Sequence, residues 1–70
     1  MPFKYNKLFA LLAIRGLKAT DLRNMTGLSA PTMSKLAKGE PVNTRVLARI
    51  CSVLNCNIGD IVDYIPDQED

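Results

Sequence analysis

The fold is decided by residues 20–39, which read TDLRNMTGLSAPTMSKLAKG. Within this stretch, two short segments with the apolar spacing of helices meet at Gly27. A glycine there can adopt the positive φ that a sharp turn out of a helix requires. Leu28 can then pack into the core while Ser29 caps the next helix. The stretch therefore predicts two short helices joined by a tight turn, which is a helix-turn-helix.

The second helix of this motif has two different faces. At about 100° per residue, Met33, Leu36 and Ala37 cluster on the side predicted to face the core. The opposite side is small, polar and basic, and consists of Pro31, Ser34, Lys35 and Lys38. Small residues let a helix backbone approach the major groove, and donors one turn further on reach base edges. This face is therefore suited to DNA recognition.

Individual side chains on this helix have chemistry that matches base edges. Lys35 is the strongest candidate for a base contact, because a lysine can donate to guanine O6 and N7. Thr32 or Ala30 can contact a thymine methyl group, and Ser34 can donate or accept. The helix N-terminus at Ser29 favours a phosphate. A polar outward face is also the ordinary solvated face of a surface helix, so this geometry alone makes DNA binding a hypothesis.

The rest of the chain predicts three more helices around the same core. Apolar spacing, caps and stop signals place the five helices at about 5–15, 18–26, 29–38, 43–54 and 58–64. The inward residues predicted for the first two are Leu8, Leu11, Leu12, Ile14, Leu22, Met25 and Thr26. No alternating apolar pattern is long enough to indicate a sheet. We expect one all-α domain over residues 1–66 and a frayed acidic tail at 67–70.

Charge is distributed unevenly along the chain. The net charge of +2 divides into nine basic against two acidic residues before Cys51, giving +7, and five acidic residues from Cys51 onward, giving −5. A basic body with an acidic end favours a polyanionic partner for the body. Charge asymmetry also arises by chance in short helical domains, so charge alone does not decide for nucleic acid.

The composition argues against several other classes of protein. The chain has no histidine, which puts the common zinc-ligand arrangements out of reach, and its two cysteines, Cys51 and Cys56, are expected to pack as small hydrophobes rather than to act as a redox sensor. No serine or cysteine has a plausible base beside it, so we expect no enzymatic activity and no cofactor, and no small-molecule ligand is evident. The sequence shows neither a membrane-spanning run nor a signal-peptide pattern, which favours a reducing cytoplasm.

The motif and its flanks resemble the Cro/repressor-type (Xre-like) helix-turn-helix regulators, especially their small stand-alone bacterial members. The resemblance rests on Arg15-Gly16-Leu17-Lys18, Gly27-Leu28-Ser29, Thr32-Met33-Ser34-Lys35-Leu36 and Lys38-Gly39-Glu40-Pro41-Val42, and it extends over about residues 5–65. It implies a five-helix lambda-repressor-like domain that binds double-stranded DNA sequence-specifically in the major groove. It further implies a transcriptional regulator, and because the sequence shows no ligand-binding domain, repression by occlusion is the default expectation.

The same resemblance implies roles for individual positions. The base-contacting positions fall on Ala30, Pro31 and Lys35. The phosphate-contacting positions fall on Ala19, Ser29, Thr32, Lys38, Asn43 and Arg45. Many members carry a glutamine where this chain has Ala19, so Thr20 or Lys18 would have to take its place. A small alanine is common where this chain has Arg23, whose side chain is expected to point outward or to bind a phosphate.

The last predicted helix carries apolar surface. Its apolar residues are Ile61, Val62, Tyr64 and Ile65. Because cyclic pairs are the commonest oligomers and one small domain binds DNA weakly, we expect a homodimer formed by this segment. The alternative is a protein-interaction module, antitoxin-like or regulator-binding, that uses this surface and does not itself bind DNA. The basic face of the third helix discriminates between the two, since an interaction module does not require it.

Overall fold

The computed structural model describes residues 3–66. In chain order its elements are β1 (Phe3–Lys4), α1 (Asn6–Ile14), α2 (Ala19–Thr26), α3 (Ala30–Lys38), α4 (Thr44–Leu54), a 3-10 turn (Ile58–Asp60) and β2 (Asp63–Tyr64). The acidic tail predicted at 67–70 lies outside the described residues. Within the described part, no helix is both long enough and apolar enough to cross a bilayer.

One apolar core joins the four helices to the segment that follows α4. Its buried members are Tyr5, Leu8, Leu12, Leu22, Leu36, Leu47, Ile50, Leu54 and Ile61. Thr26 is the buried polar residue beside them, and its hydroxyl donates to the Leu22 carbonyl at 2.7 Å. Because that hydroxyl has a partner, burying it does not leave an unsatisfied polar group in the core.

The helix-turn-helix is delimited by the local signals that the sequence predicts. Gly27 ends α2 in the left-handed region at φ 73°, and the hydroxyl of Ser29 accepts from the Thr32 backbone N–H at 3.3 Å at the start of α3. Asn43 caps α4 in the same way, since its side-chain oxygen accepts from the Val46 N–H at 3.0 Å. Each interaction satisfies a donor that a helix start leaves open, so both helices begin at defined residues.

The segment predicted as a fifth helix over 58–64 folds differently. Only a 3-10 turn forms, and β2 then pairs antiparallel with β1, with Phe3 opposite Tyr64. The two rings meet edge to face with centroids 5.5 Å apart. Branched and aromatic residues such as Val62 and Tyr64 favour extended backbone, and strands of two residues are too short to show alternation. Residues 3–66 are therefore mostly helical with four α-helices, and the predictions of a fifth helix and of no sheet are wrong.

A lysine of α1 holds this final segment against the body. The ammonium group of Lys7 lies 3.1 Å from the Asp63 carboxylate and donates to the Gly59 carbonyl at 3.2 Å. Between these two contacts, Ile61 inserts fully into the core. Besides the pairing of β2 with β1, the chain after α4 is thus held by one buried apolar side chain and one partly exposed ion pair, of which the apolar contact contributes more.

Tyr5 connects the start of the chain with the loop after α3. Its hydroxyl donates to the Glu40 carbonyl at 2.9 Å. Burial raises the pKa of the Tyr5 phenol, and a backbone hydrogen bond from Val42 partly offsets that rise. The neutral phenol therefore holds the loop that leads from α3 into α4.

Three residues predicted to face inward lie at the surface. Ile14 is 81% exposed, because it stands two residues after the buried Leu12 and so about 200° further round α1. Met25 is 47% exposed and lies beside α4 rather than under it, and Ala37 is exposed as well. On such short helices only a narrow line of side chains reaches the core. The apolar pattern of the sequence therefore overestimates the number of core residues.

Candidate nucleic-acid interface

Side chains on both sides fix the turn between α2 and α3. The Leu28 N–H donates to the Thr26 hydroxyl at 3.4 Å, and Arg23 Nε donates to the Leu28 carbonyl at 3.3 Å. From α4, Arg49 Nε donates to the Thr26 carbonyl at 2.6 Å. The bond from Arg49 uses a carbonyl that the end of α2 leaves without a helical partner. The angle between the two helices is consequently set by the body of the domain.

Arg23 and Arg49 have roles that the sequence pattern did not assign. Arg23, which the sequence predicts to point outward or to bind a phosphate, is exposed, and its guanidinium group also donates to the Leu28 carbonyl in the turn. Arg49 lies four residues after Arg45 on α4, so the two guanidinium groups share a face of that helix. This spacing was visible in the sequence, whereas the contact of Arg49 with α2 required the tertiary structure.

The predicted recognition face of α3 is open to solvent. Its exposed residues are Ala30, Pro31, Ser34, Lys35 and Lys38, with Thr32 partly exposed. Leu36 is the fully buried residue of the helix, at 1% exposure, and Met33 is half-buried beside it. Because only one side of α3 packs against the core, most of the helix surface is accessible to solvent. Insertion into a major groove about 12 Å wide requires such an accessible surface.

Residues at the start of α3 and at the start of α2 lie together. Thr20 and Ala30 line the same shallow groove between the two helices. At the edge of α3, the hydroxyls of Ser29 and Thr32 are 3.0 Å apart. The groove therefore brings Thr20, from α2, beside the first turn of α3, where backbone N–H groups and the helix dipole favour an anion.

The two predicted residues of α4 stand at the beginning of that helix but in different surroundings. Asn43 is its exposed N-cap, and the amide nitrogen of its side chain can still donate. Arg45 is exposed and lines a separate groove with Met25 and Arg49, between the end of α2 and α4. The structure thus does not place Arg45 in the same groove as the residues of α3.

Several of the basic side chains make contacts within the domain. Arg15 donates to the Leu54 carbonyl, and Arg23 and Arg49 donate to the carbonyls around the turn. Over residues 3–66 the only ion pair is Lys7 with Asp63, so no described acid neutralises the exposed lysines of α3. Those lysines, Lys35 and Lys38, occupy the last turn of the helix and also offset its dipole.

Comparison with known proteins agrees with this geometry. The model of the Cro/C1-type HTH DNA-binding domain matches residues 7–67. The chain belongs to this family. Membership in this family confirms the resemblance seen in the sequence. Cro/C1-type domains bind DNA in transcriptional regulators and are not typically enzymes. The membership therefore supports double-stranded DNA as the partner.

Two relatives support this membership. The uncharacterized HTH-type transcriptional regulator YozG of Bacillus subtilis (strain 168) is 31% identical over 61 residues, covering 84% of this chain and 73% of that protein. The crystal structure of the transcriptional regulator VanUg superposes with a TM-score of 0.91 at 44% identity, covering 94% of this chain and 88% of that one. The arrangement of the four helices is therefore that of a solved transcriptional regulator.

The residues predicted to form a dimer interface are divided between core and surface in this Cro/C1-type domain. Ile61 is 0% exposed, so it belongs to the core and cannot also contact a second copy. Val62 is half-buried. Tyr64 and Ile65 are 63% and 44% exposed. The apolar surface of this segment is thus smaller than predicted, and it stands beside the two-stranded sheet.

Proposed function

We propose that this Cro/C1-type protein is a sequence-specific transcriptional regulator that inserts α3 into the major groove of its DNA site. The observation that carries the proposal is the exposed, small and basic face of α3, held at a fixed angle by the contacts around Gly27. A helix face that is only solvated does not require a fixed angle between α3 and α2.

Each exposed residue is assigned the contact that its chemistry favours. Bases are contacted by Lys35, by Ser34 and by the small surface formed by Ala30, Pro31 and Thr32. Phosphates are contacted by Ser29, Thr20, Lys38, Asn43 and Arg45, with Thr32 as a further donor. Thr20 takes the place that a glutamine has in many relatives, and its position beside Ala30 supports that substitution.

Repression is the mode of regulation that this surface supports. Occupying a promoter site is enough to exclude other proteins from it, so a DNA-binding domain represses by binding alone. Activation would require an additional surface that recruits another protein. We therefore propose repression by occlusion.

Selection from a random duplex pool tests the proposal. The protein should enrich one motif, and a fluorescently labelled duplex carrying it should bind about 10³-fold or more tightly than a scrambled duplex of equal length and composition. The matched control is Arg15→Lys, a cation outside the recognition face, which should enrich the same motif. Failure to enrich any motif, with binding equal for both duplexes, would contradict sequence-specific recognition.

Salt dependence provides a second prediction. A plot of log affinity against log salt concentration should have a steep negative slope, because lysine and arginine side chains displace counterions from phosphates. Lys38→Ala and Arg45→Ala should each flatten that slope by about one unit. Lys7→Ala removes a cation that is paired with Asp63, and it should change the slope less. A slope near zero for the native protein would rule out the phosphate contacts.

We also propose that the regulator acts as a symmetric homodimer. The apolar surface formed by Phe3, Val62, Tyr64 and Ile65 supports this, since β1 and β2 form a sheet whose strands both have open edges. A two-fold axis near this surface would allow the α3 helices of the two copies to lie about 34 Å apart, one turn of DNA. The preferred site would then be an inverted repeat.

The combined change Tyr64→Asp and Ile65→Asp should convert the dimer to monomers, because it places charges on the apolar contact. Sedimentation velocity at micromolar concentration measures this. Ile14→Asp charges an even more exposed apolar position, at the end of α1, and should leave the dimer intact. A native protein that is monomeric with and without DNA, or a dimer unaffected by the double change, would rule out this interface.

A further inference from the structure

The two cysteines occupy linked positions in the C-terminal cap of α4. Cys51 lies in the last turn of the helix, and Asn55 ends it in the left-handed region at φ 54° and ψ 58°. The Cys51 carbonyl accepts from the N–H of Asn55 and, at 3.1 Å, from the N–H of Cys56. A bond from the sixth residue back to the first is characteristic of the Schellman motif.

This cap brings the two thiols together. In a Schellman motif the side chains of the first and sixth residues commonly touch, and that contact is ordinarily between two apolar groups. Here both groups are thiols, and both pack half-buried against the core. Burial raises the pKa of the Cys51 thiol, and the charge and hydrogen bonding of the neighbouring Cys56 raise it further. The backbone bond of the cap therefore places the two cysteines on the same side of the helix end.

The second cysteine can be reached from solvent. Cys56 lines an open groove between α1 and the segment after α4, together with Ile14, the cations Lys7 and Arg15 and the carboxylate of Asp60. Ile14 is largely exposed, so the groove is not covered by the protein's own side chains. Lys7 is paired with Asp63 and Asp60 lies in the same groove, so access to the Cys56 thiol rests on the openness of the groove rather than on its charge.

We propose that Cys51 and Cys56 are a thiol modification site, at which a low-molecular-weight disulfide such as glutathione disulfide converts the pair into an intramolecular disulfide. The Cys56 thiolate attacks one sulfur of the reagent, the reagent's S–S bond breaks, and one glutathione thiolate leaves. The Cys51 thiolate then attacks the Cys56 sulfur and displaces the second glutathione. The two protein thiols lose two electrons and two protons, and one glutathione disulfide becomes two glutathione molecules.

The folded structure favours this product. A disulfide needs its two Cα atoms within about 4.4–6.8 Å, and the backbone bond of the cap returns the sixth residue to the side of the first. An unfolded chain must bring the same residues together against its own flexibility. Since the fold promotes the disulfide, the disulfide must stabilise the fold by the same factor, as linkage requires. The disulfide would link the last turn of α4 to the segment that follows it. Arg15, which follows α1, donates to the Leu54 carbonyl at the same helix end.

The test is a redox equilibrium measured on the whole chain, folded and in concentrated guanidinium chloride. The chain is equilibrated in buffers of reduced and oxidised glutathione. Alkylation of the free thiols then stops the exchange, and mass spectrometry measures the masses of the products. The ratio of disulfide to dithiol at a given buffer should be at least about tenfold higher for the folded chain. The oxidised chain should also melt several degrees above the reduced one.

Single variants separate this pair from ordinary thiol reactivity. Cys51→Ser, which keeps the Cys56 thiol in the open groove, should take up one glutathione faster than Cys56→Ser, which keeps the Cys51 thiol, whose pKa burial raises. Neither can form the intramolecular bond. An equilibrium no more favourable in the folded chain, a product that stops at bound glutathione, or a disulfide between two chains would each overturn the proposal.

Discussion

Replacing Leu36 by alanine is expected to lower the free energy of unfolding by about 2–5 kcal/mol. Leu36 is the fully buried side chain of α3, so its loss leaves a cavity where the recognition helix meets the core. A domain of 70 residues has a total stability of about 4–10 kcal/mol, of which this change removes a large fraction. Urea denaturation followed by circular dichroism measures the loss as a lower midpoint with little change in slope.

The adjacent position provides the control. Lys35→Ala changes an exposed residue of the same helix and should alter the stability by no more than about 0.5 kcal/mol. If both variants unfold at the midpoint of the native protein, α3 is held to the body by contacts other than Leu36. A large loss for Lys35→Ala would show that its aliphatic part packs against the domain.

The features that the sequence predicts correctly are local. The turn at Gly27 and the caps at Ser29 and Asn43 depend on residues within three positions of each other. Backbone geometry restricts such short segments to few conformations, and only certain residues fit them. The positions of α2, α3 and α4 could therefore be predicted before any tertiary contact was known.

The features that the sequence misses depend on distant partners. The segment after α4 contains the apolar residues of a helix, yet Ile61 enters the core and β2 pairs with β1, some sixty positions earlier in the chain. Likewise, Arg49 contacts a carbonyl of α2 that no local pattern connects with it. Such contacts depend on which core space and which unpaired backbone groups remain after the helices have packed. The apolar spacing within one segment carries no information about these distant partners.

The candidate site shows the same division. That Lys35 and Lys38 lie outward on α3 follows from the helical period, and both are exposed. Which cations remain for DNA does not follow from composition. Arg15 and Arg23 donate to backbone carbonyls, and Lys7 pairs with Asp63, so much of the charge excess of the body also holds the fold together. The electrostatic contribution of the recognition helix is consequently concentrated on its two lysines.

Lys35→Ala is expected to weaken binding to the preferred DNA site by about 1–3 kcal/mol, or about 5- to 150-fold, because a lysine that donates to guanine O6 and N7 is lost. The stability of the fold should stay unchanged, since the side chain is exposed and has no acidic partner among residues 3–66. Fluorescence anisotropy with the selected site and with each single base-pair variant of it measures the effect. The preference should disappear at one base pair and persist at the others.

Lys38→Ala is the matched comparison, because it removes the same group one turn later on the same helix. Lys38 is assigned to a phosphate, so its loss should weaken binding to every sequence by a similar factor and leave the preferences intact. The two lysines thus differ in which property of binding they control. If Lys35→Ala weakens all sequences equally and no base pair loses its preference, Lys35 contacts a phosphate. The bases would then be contacted by Ser34 and by the small surface at Ala30, Pro31 and Thr32, which precede Lys35 on the exposed side of α3.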